Sequence, residues 1–291
     1  MLLPKFEFHE PRSVEDACQI LAEIGPEAKP LAGGTDLLVN MKKKLISPKA
    51  LVSLARVETL KTLEPSGGKL MMGSCVTAAR LAESKTVTES FPALAKAGQS
   101  LGSPLIRNLA TLGGNVISAR PAADLPPALM AYGGRVILKG AYGERRLPLR
   151  DFFQGPGQTV LRADEILTAL VLDEPAPGSG AGYMKLGVRQ ALEISLVNVA
   201  AFLAMDGRDG AVKKARIVLG SVAPTPVRAY SAEEVLMGER PTEALFSRAG
   251  EAALKDIAPI DDFRASADYK RAMVAVLTRR ALREALEGAR P

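Results

Sequence analysis

Two short segments carry residue types that could hold an anion: residues 30–37, PLAGGTDL, and residues 110–115, ATLGGN. In each, a glycine pair lies between an apolar stretch and side chains that donate or accept hydrogen bonds. Glycine takes positive φ and lets another group approach the backbone without a Cβ in the way. Successive amides in such a turn form a concavity suited to phosphate, and Thr35 stands at the start of an expected helix, whose first amides favour the same charge. Neither segment fits G-x-G-x-x-G, and nothing fits G-x-x-x-x-G-K-[ST], so the common dinucleotide and P-loop signatures are absent. A glycine pair is also the ordinary chemistry of a turn. On the residues alone both readings stand.

Other chemistries have fewer candidates. His9 is the single histidine, so a catalytic triad or a histidine metal site would have to be built around it; a capping or surface role is the simpler expectation. Cys18 and Cys75 are too few and too far apart for a disulfide framework, a zinc site or an iron–sulfur cluster, and read as two reduced, buried thiols. No catalytic side chain and no metal ligand is nominated. The run Lys42-Lys43-Lys44 reads as a solvated helix end, where cations suit the macrodipole. Arg279, Arg280 and Arg283 on the final helix read as a wet face or a subunit contact.

The elements that position the glycine segments follow from periodicity. Ser13 with Asp16, and Val14, Ala17, Cys18 and Leu21, predict a capped amphipathic helix ending near Gly25-Pro26. A short strand at 29–32 enters the first glycine pair, a helix follows at 37–43, and 50–54 supplies a second strand. The first 55 residues thus alternate as a small α/β unit. After EPSGG at 64–68 a strand at 69–73, helices at 77–83 and 89–98, a strand pair at 134–139 and 145–149, and a strand at 166–172 are expected. The stretch EPAPGSGAG at 174–182 reads as a linker and a domain boundary. Strands at 183–188, 197–205 and 215–222, then helices from Ser231, Thr242 and Ser266 to the end, suggest an α+β domain.

At 291 residues and 47% hydrophobic content the chain can bury a sizeable core. Aromatic residues are 4% with no Trp, and the net charge of +6 comes from cations scattered among 32 acidic residues. Neither stacking platforms nor a dedicated basic face for nucleic acid is in prospect. No apolar run approaches the roughly 20 residues of a membrane span, and residues 1–10 lack the regions of a signal peptide. A cytoplasmic protein is expected.

PLAGGTDLLVNMK at 30–42, together with IRNLATLGGNVISARPAADLPPAL at 106–129, resembles the flavin-binding subunits of the molybdenum hydroxylases. That group includes carbon monoxide dehydrogenase medium subunits and the flavin domain of xanthine dehydrogenase. RADEILTAL at 162–170, YMKLGVR at 183–189 and DYKRAMVAVLTRRAL at 268–282 fall in the family's order and spacing, so the resemblance spans essentially the whole chain. It implies an α+β protein. A two-part FAD-binding domain of p-cresol methylhydroxylase type, a small α/β unit at 1–58 and a larger mixed unit at 59–175, would precede a C-terminal α+β domain at 180–291 with a small antiparallel sheet and helices.

The resemblance implies FAD as cofactor, bound on one side by the segment Pro30, Leu31, Ala32, Gly33, Gly34, Thr35, Asp36 and Leu37, whose backbone amides would wrap the diphosphate. Thr111, Gly113, Gly114 and Asn115 would do the same from the other. Ile117 and Ser118 match positions lining the cofactor, though Ile117 also suits an ordinary core. Asp124 matches a carboxylate near the adenosine ribose, and as a residue type it equally suits the N-cap of the helix entering Leu125-Pro126-Pro127. Leu167 matches an apolar residue beside the adenine or the ring. Lys185 matches a lysine at the pyrimidine edge of the flavin, and Ile194 a position over the ring where carbon monoxide dehydrogenases carry Tyr. Thr35-Asp36 replaces the His-Ser of those enzymes, which leans the resemblance towards hydroxylases of organic substrates.

The implied function is electron transfer: from a molybdopterin-containing large subunit, through a 2Fe-2S small subunit, to this FAD and on to NAD or another acceptor, in a dimer of three-chain units. A self-contained FAD-dependent reductase or oxidase of the same fold, or a scaffold that lost FAD, are the rival expectations.

Overall fold

A computed structural model describes residues 2–189, 192–207 and 210–289; the expected continuation of the last helix to the end of the sequence lies outside them. The first unit comprises β1 (Glu7–His9), α1 (Val14–Ile24), β2 (Ala28–Leu31), α2 (Leu37–Lys42) and β3 (Ala50–Ser53). Its three strands form a parallel sheet in the order β1-β3-β2. The Ser13 hydroxyl accepts from the Asp16 amide at 3.1 Å and caps α1. The apolar stripe of α1 then packs with Val52 and Leu54 in one small core. β1 is too short to show a pattern in the sequence. It places His9 opposite Val52, a strand position in place of the expected capping or surface role.

The second unit runs through β4 (Leu63–Ser66), β5 (Lys69–Gly73), α3 (Ala78–Glu83), α4 (Lys85–Ser90), α5 (Pro92–Ser100), α6 (Pro104–Arg107), α7 (Leu112–Ile117) and α8 (Leu125–Ala131). It continues with β6 (Arg135–Gly140), β7 (Gly143–Pro148), β8 (Phe153–Gly155), β9 (Gln158–Thr159) and β10 (Ile166–Asp173). An antiparallel sheet in the order β4-β5-β10-β6-β7 forms its floor. The single helix expected at 89–98 is two. Pro92 has no N–H to continue α4 and stands at the first position of α5, while Phe91 leaves helical geometry at φ −134°.

The third unit contains β11 (Ser179–Leu186), β12 (Val197–Met205), β13 (Val212–Gly220), β14 (Val227–Arg228), α9 (Tyr230–Leu236), α10 (Glu243–Ala252) and α11 (Ala267–Ala289). Its antiparallel sheet, β11-β12-β13-β14, is covered on both faces, so β12 reads as an apolar run interrupted only by Asn198. Val197, Val199, Ala201 and Leu203 face the helices, while Ala200 and Phe202 join Tyr183 and Val218 in the core of the second unit. The stretch taken as linker ends at residue 178: Ser179 already pairs with Ala204. Its glycines serve packing, because a Cβ on Gly180 or Gly182 would lie 2.1 Å from the Ala285 carbonyl or 2.3 Å from that of Ala281 on α11.

Candidate functional site

The loop between β2 and α2 has the geometry of an amide cradle. Gly34 takes φ +70°, a conformation that L side chains rarely adopt. Gly33 lies so close to the chain at Leu109 that a Cβ would sit 1.9 Å from its carbonyl oxygen. Leu38 donates back to the Gly34 carbonyl, yet the amides of Gly33, Gly34, Thr35, Asp36 and Leu37 have no acceptor within the described residues. Gly33, Gly34, Thr35 and Leu37 are half-buried and Asp36 is exposed, so these amides are open to a partner from outside the chain.

The second glycine pair is built differently from the first. It lies inside α7, whose cap Thr111 accepts from the Gly114 amide at 3.1 Å. Leu112 donates to the Val76 carbonyl, Gly113 to that of Ser74 and Asn115 to that of Thr111. All four amides are thereby engaged, so this segment offers shape and the Thr111 hydroxyl proton in place of the expected second set of free N–H groups. Gly113 is needed for packing, since a Cβ there would meet the Ser74 Cβ at 2.6 Å. Gly114 is exposed and a Cβ would meet only the Thr111 hydroxyl.

Between these segments lies a cavity of about 770 Å³, continuous with a second of about 680 Å³ that reaches the third unit. Pro30, Ala32, Leu37, Ile117, Ser118 and Leu167 line the first, together with both glycine pairs. Asp124 and Ile194 line the second. Asp36, Asn115, Ser118 and Arg120 stand at the junction, bordering both. Two serines that no motif singles out, Ser74 in the first cavity and Ser221 in the second, have buried hydroxyls with no hydrogen-bond partner among the described residues. Ala119, Leu192 and Ser221 hold positive φ of 43°, 52° and 68° around the same cleft. Strain of this kind in non-glycine residues collects at binding sites. Free amides, unpartnered hydroxyls and glycines held open fit an elongated, phosphate-bearing cofactor spanning both cavities.

Two expected residues line neither cavity. Leu31 packs beneath Gly34, and Lys185 lies behind the second cavity, its ammonium 2.8 Å from the Asp124 carboxylate and donating to the Ser100 and Glu193 carbonyls. Ser195 and Tyr183 also donate to that carboxylate, at 3.1 and 3.4 Å. Burial pushes the Asp124 carboxyl above its usual range against the pull of Lys185, and burial next to that carboxylate pushes the Tyr183 phenol up as well. Asp124 makes no capping bond to α8. The Asn115 side-chain oxygen does so instead, accepting from the Leu125 amide at 3.2 Å. Asp124 and Lys185 therefore form one buried pair at the second-cavity end of the cleft. Both thiols are protonated, pushed up to about 11 by burial.

Residues 4–174 match the FAD binding domain in molybdopterin dehydrogenase, and residues 182–285 the CO dehydrogenase flavoprotein C-terminal domain. The chain belongs to the family of FAD-binding subunits of molybdenum hydroxylases, and FAD is its cofactor. It is 34% identical to the nicotine 6-hydroxylase medium subunit of Paenarthrobacter nicotinovorans, covering 98% of this chain and 99% of that one. It is 32% identical to the carbon monoxide dehydrogenase medium chain of Hydrogenophaga pseudoflava, covering 98% of each. A solved structure of carbon monoxide dehydrogenase from the latter organism superposes with a TM-score of 0.94 at 33% identity over 99% of both chains. The expected mixed α+β fold and flavoprotein oxidoreductase class are thus established. No helix among the described residues is long and apolar enough to cross a membrane.

Proposed function

We propose that this chain is the electron outlet of a cytoplasmic three-chain hydroxylase, taking electrons from a 2Fe-2S partner fed by a molybdopterin-containing partner and passing them to NAD or another acceptor. The free amides of residues 33–37, facing a two-part cleft, carry the reading: they are donors placed for a diphosphate with no other use in the chain. FAD, when bound, supplies the redox chemistry. The protein's part is to hold and shield it. Gly33 to Leu37 would embrace the diphosphate, Thr111 and Gly114 would border it opposite, Leu167 and Ile117 would pack the adenosine half, and Asp124, backed by Lys185, would face the flavin half. Ile194, half exposed at the second cavity, limits access to the ring.

Two cysteines in 291 residues cannot ligate a cluster, which supports electrons arriving from another chain. Thr35-Asp36 in the cradle favours an organic substrate for the whole assembly, which we take to be a dimer of three-chain units. The partition 1–58, 59–175 and 180–291 follows the three main sheets, with β11 starting at Ser179.

Purified chain reconstituted with FAD will show bound-flavin absorbance, and Gly114→Val will abolish it while unfolding within a few degrees of the parent, because Gly114 faces the cleft and not the core. A parent chain that takes up no FAD overturns the reading. Co-expression with molybdopterin-containing and 2Fe-2S subunits of a related hydroxylase will yield a complex holding molybdenum and iron. A chain that turns over substrate alone would instead make it a self-contained flavoenzyme.

A further inference from the structure

The backbone around Arg120 is fixed on three sides while its side chain is not. Gly157 donates to the Ala119 carbonyl at 3.0 Å, Ala123 to that of Arg120 at 3.0 Å, and Ser221 to that of Pro121 at 2.7 Å. Ala119, at φ 43°, turns the chain so that Arg120 stands at the junction of the two cavities and borders both. Its one ion pair among the described residues is a loose one across the cleft, 3.9 Å to the Asp36 carboxylate, with both side chains more than half exposed. Pairs of that kind contribute little and exchange readily.

Asp36 belongs to the loop whose amides are free, so its carboxylate stands beside the place where a diphosphate would bind and repels it. Lys29 is the only other cation lining the first cavity among the described residues, and it lies on β2, before the cradle begins.

We infer that Arg120 is a diphosphate-binding residue held in reserve by Asp36: cofactor entry draws the guanidinium from the carboxylate to the phosphate oxygens, and Asp36 competes with the cofactor for it. The guanidinium fork suits two phosphate oxygens at once, a stronger arrangement than a single contact to an exposed carboxylate. The inference rests on the FAD site proposed above. It makes the two members of one ion pair act with opposite sign, which a merely structural bridge would not do.

The test is FAD binding by the full chain stripped of flavin, followed by flavin fluorescence at low and high salt. Arg120→Gln is expected to raise the Kd about tenfold and flatten its salt dependence. Asp36→Asn is expected to lower the Kd about two- to threefold. If both variants weaken binding alike, the pair is a static strap and the inference falls. If Arg120→Gln binds as the parent does, it also falls, with the FAD site intact. A parent chain that binds no FAD removes the site itself.

Discussion

Lys270 is 1% exposed on α11, and its ammonium is held by the Asp262 carboxylate and the Ile260 carbonyl, both at 2.8 Å. Arg264 joins the same carboxylate at 2.6 Å and donates to the Ser195 carbonyl at 3.0 Å. One carboxylate thus fastens the wall of the second cavity to the segment carrying Ile194. Arg264 above all, then Lys270, holds the Asp262 carboxyl well below the usual range, so the folded chain keeps the charge at pH values where the unfolded chain has gained a proton. Stability from that group is present above the unfolded pKa of about 4 and is lost as pH falls from there towards the folded value. Asp262→Asn leaves a buried ammonium short of its counter-charge and should cost about 3 kcal/mol at pH 7. Denaturant unfolding should show that gap constant down to about pH 5 and narrowing below 4; a gap that ignores acid would contradict the account. Residues of this kind were illegible in the sequence. Gly33, Gly34 and Thr111 announced themselves by composition, whereas Ser74, Arg120 and Ser221 are single polar residues whose meaning lies in which cavity they border.

At the scale of elements, strands were the legible part. β5 and β12 fall where the apolar runs put them, since a buried strand has little else to show. Glycine defeated the reading twice, for opposite reasons. Its two residues in α7 hid a helix behind a turn signature, and Gly180 and Gly182 disguised the start of β11 as a linker. Both cases are close approaches, where the missing side chain matters more than backbone freedom. Gly182→Ala tests the second: its Cβ would lie 2.3 Å from the Ala281 carbonyl and 2.8 Å from the Glu284 Cβ, and neither the strand nor the helix end can rotate away. Overpacking of this kind costs about 1–3 kcal/mol, so melting should fall by several degrees. Unchanged melting would mean that α11 does not rest backbone to backbone on the sheet.

The cleft is a property of the whole molecule, because no one unit closes it. Residues 30–37 come from the first unit, α7 and the β8–β9 turn from the second, and Ile194, Ser221 and the segment around Asp262 from the third. Sequence motifs marked the first two contributions and were silent on the third, whose residues meet the cleft only after β12 and β13 have packed on α8 and β11 on α5. A ligand confined to the first cavity should therefore order less of the protein than one spanning both. ADP carries the adenosine and diphosphate of FAD without the flavin, so hydrogen exchange of the flavin-free chain separates the halves. At equal saturation either ligand raises global stability alike, by about 2.7 kcal/mol at a hundred times its Kd, so amides that open only by global unfolding slow equally. Amides that open locally report where the ligand sits. Both ligands should slow residues 33–37, and FAD alone should slow 221–224 and 258–264. Protection of the third unit by ADP would reverse the cofactor in the cleft, placing its adenosine against Ile194 and its flavin against Leu167.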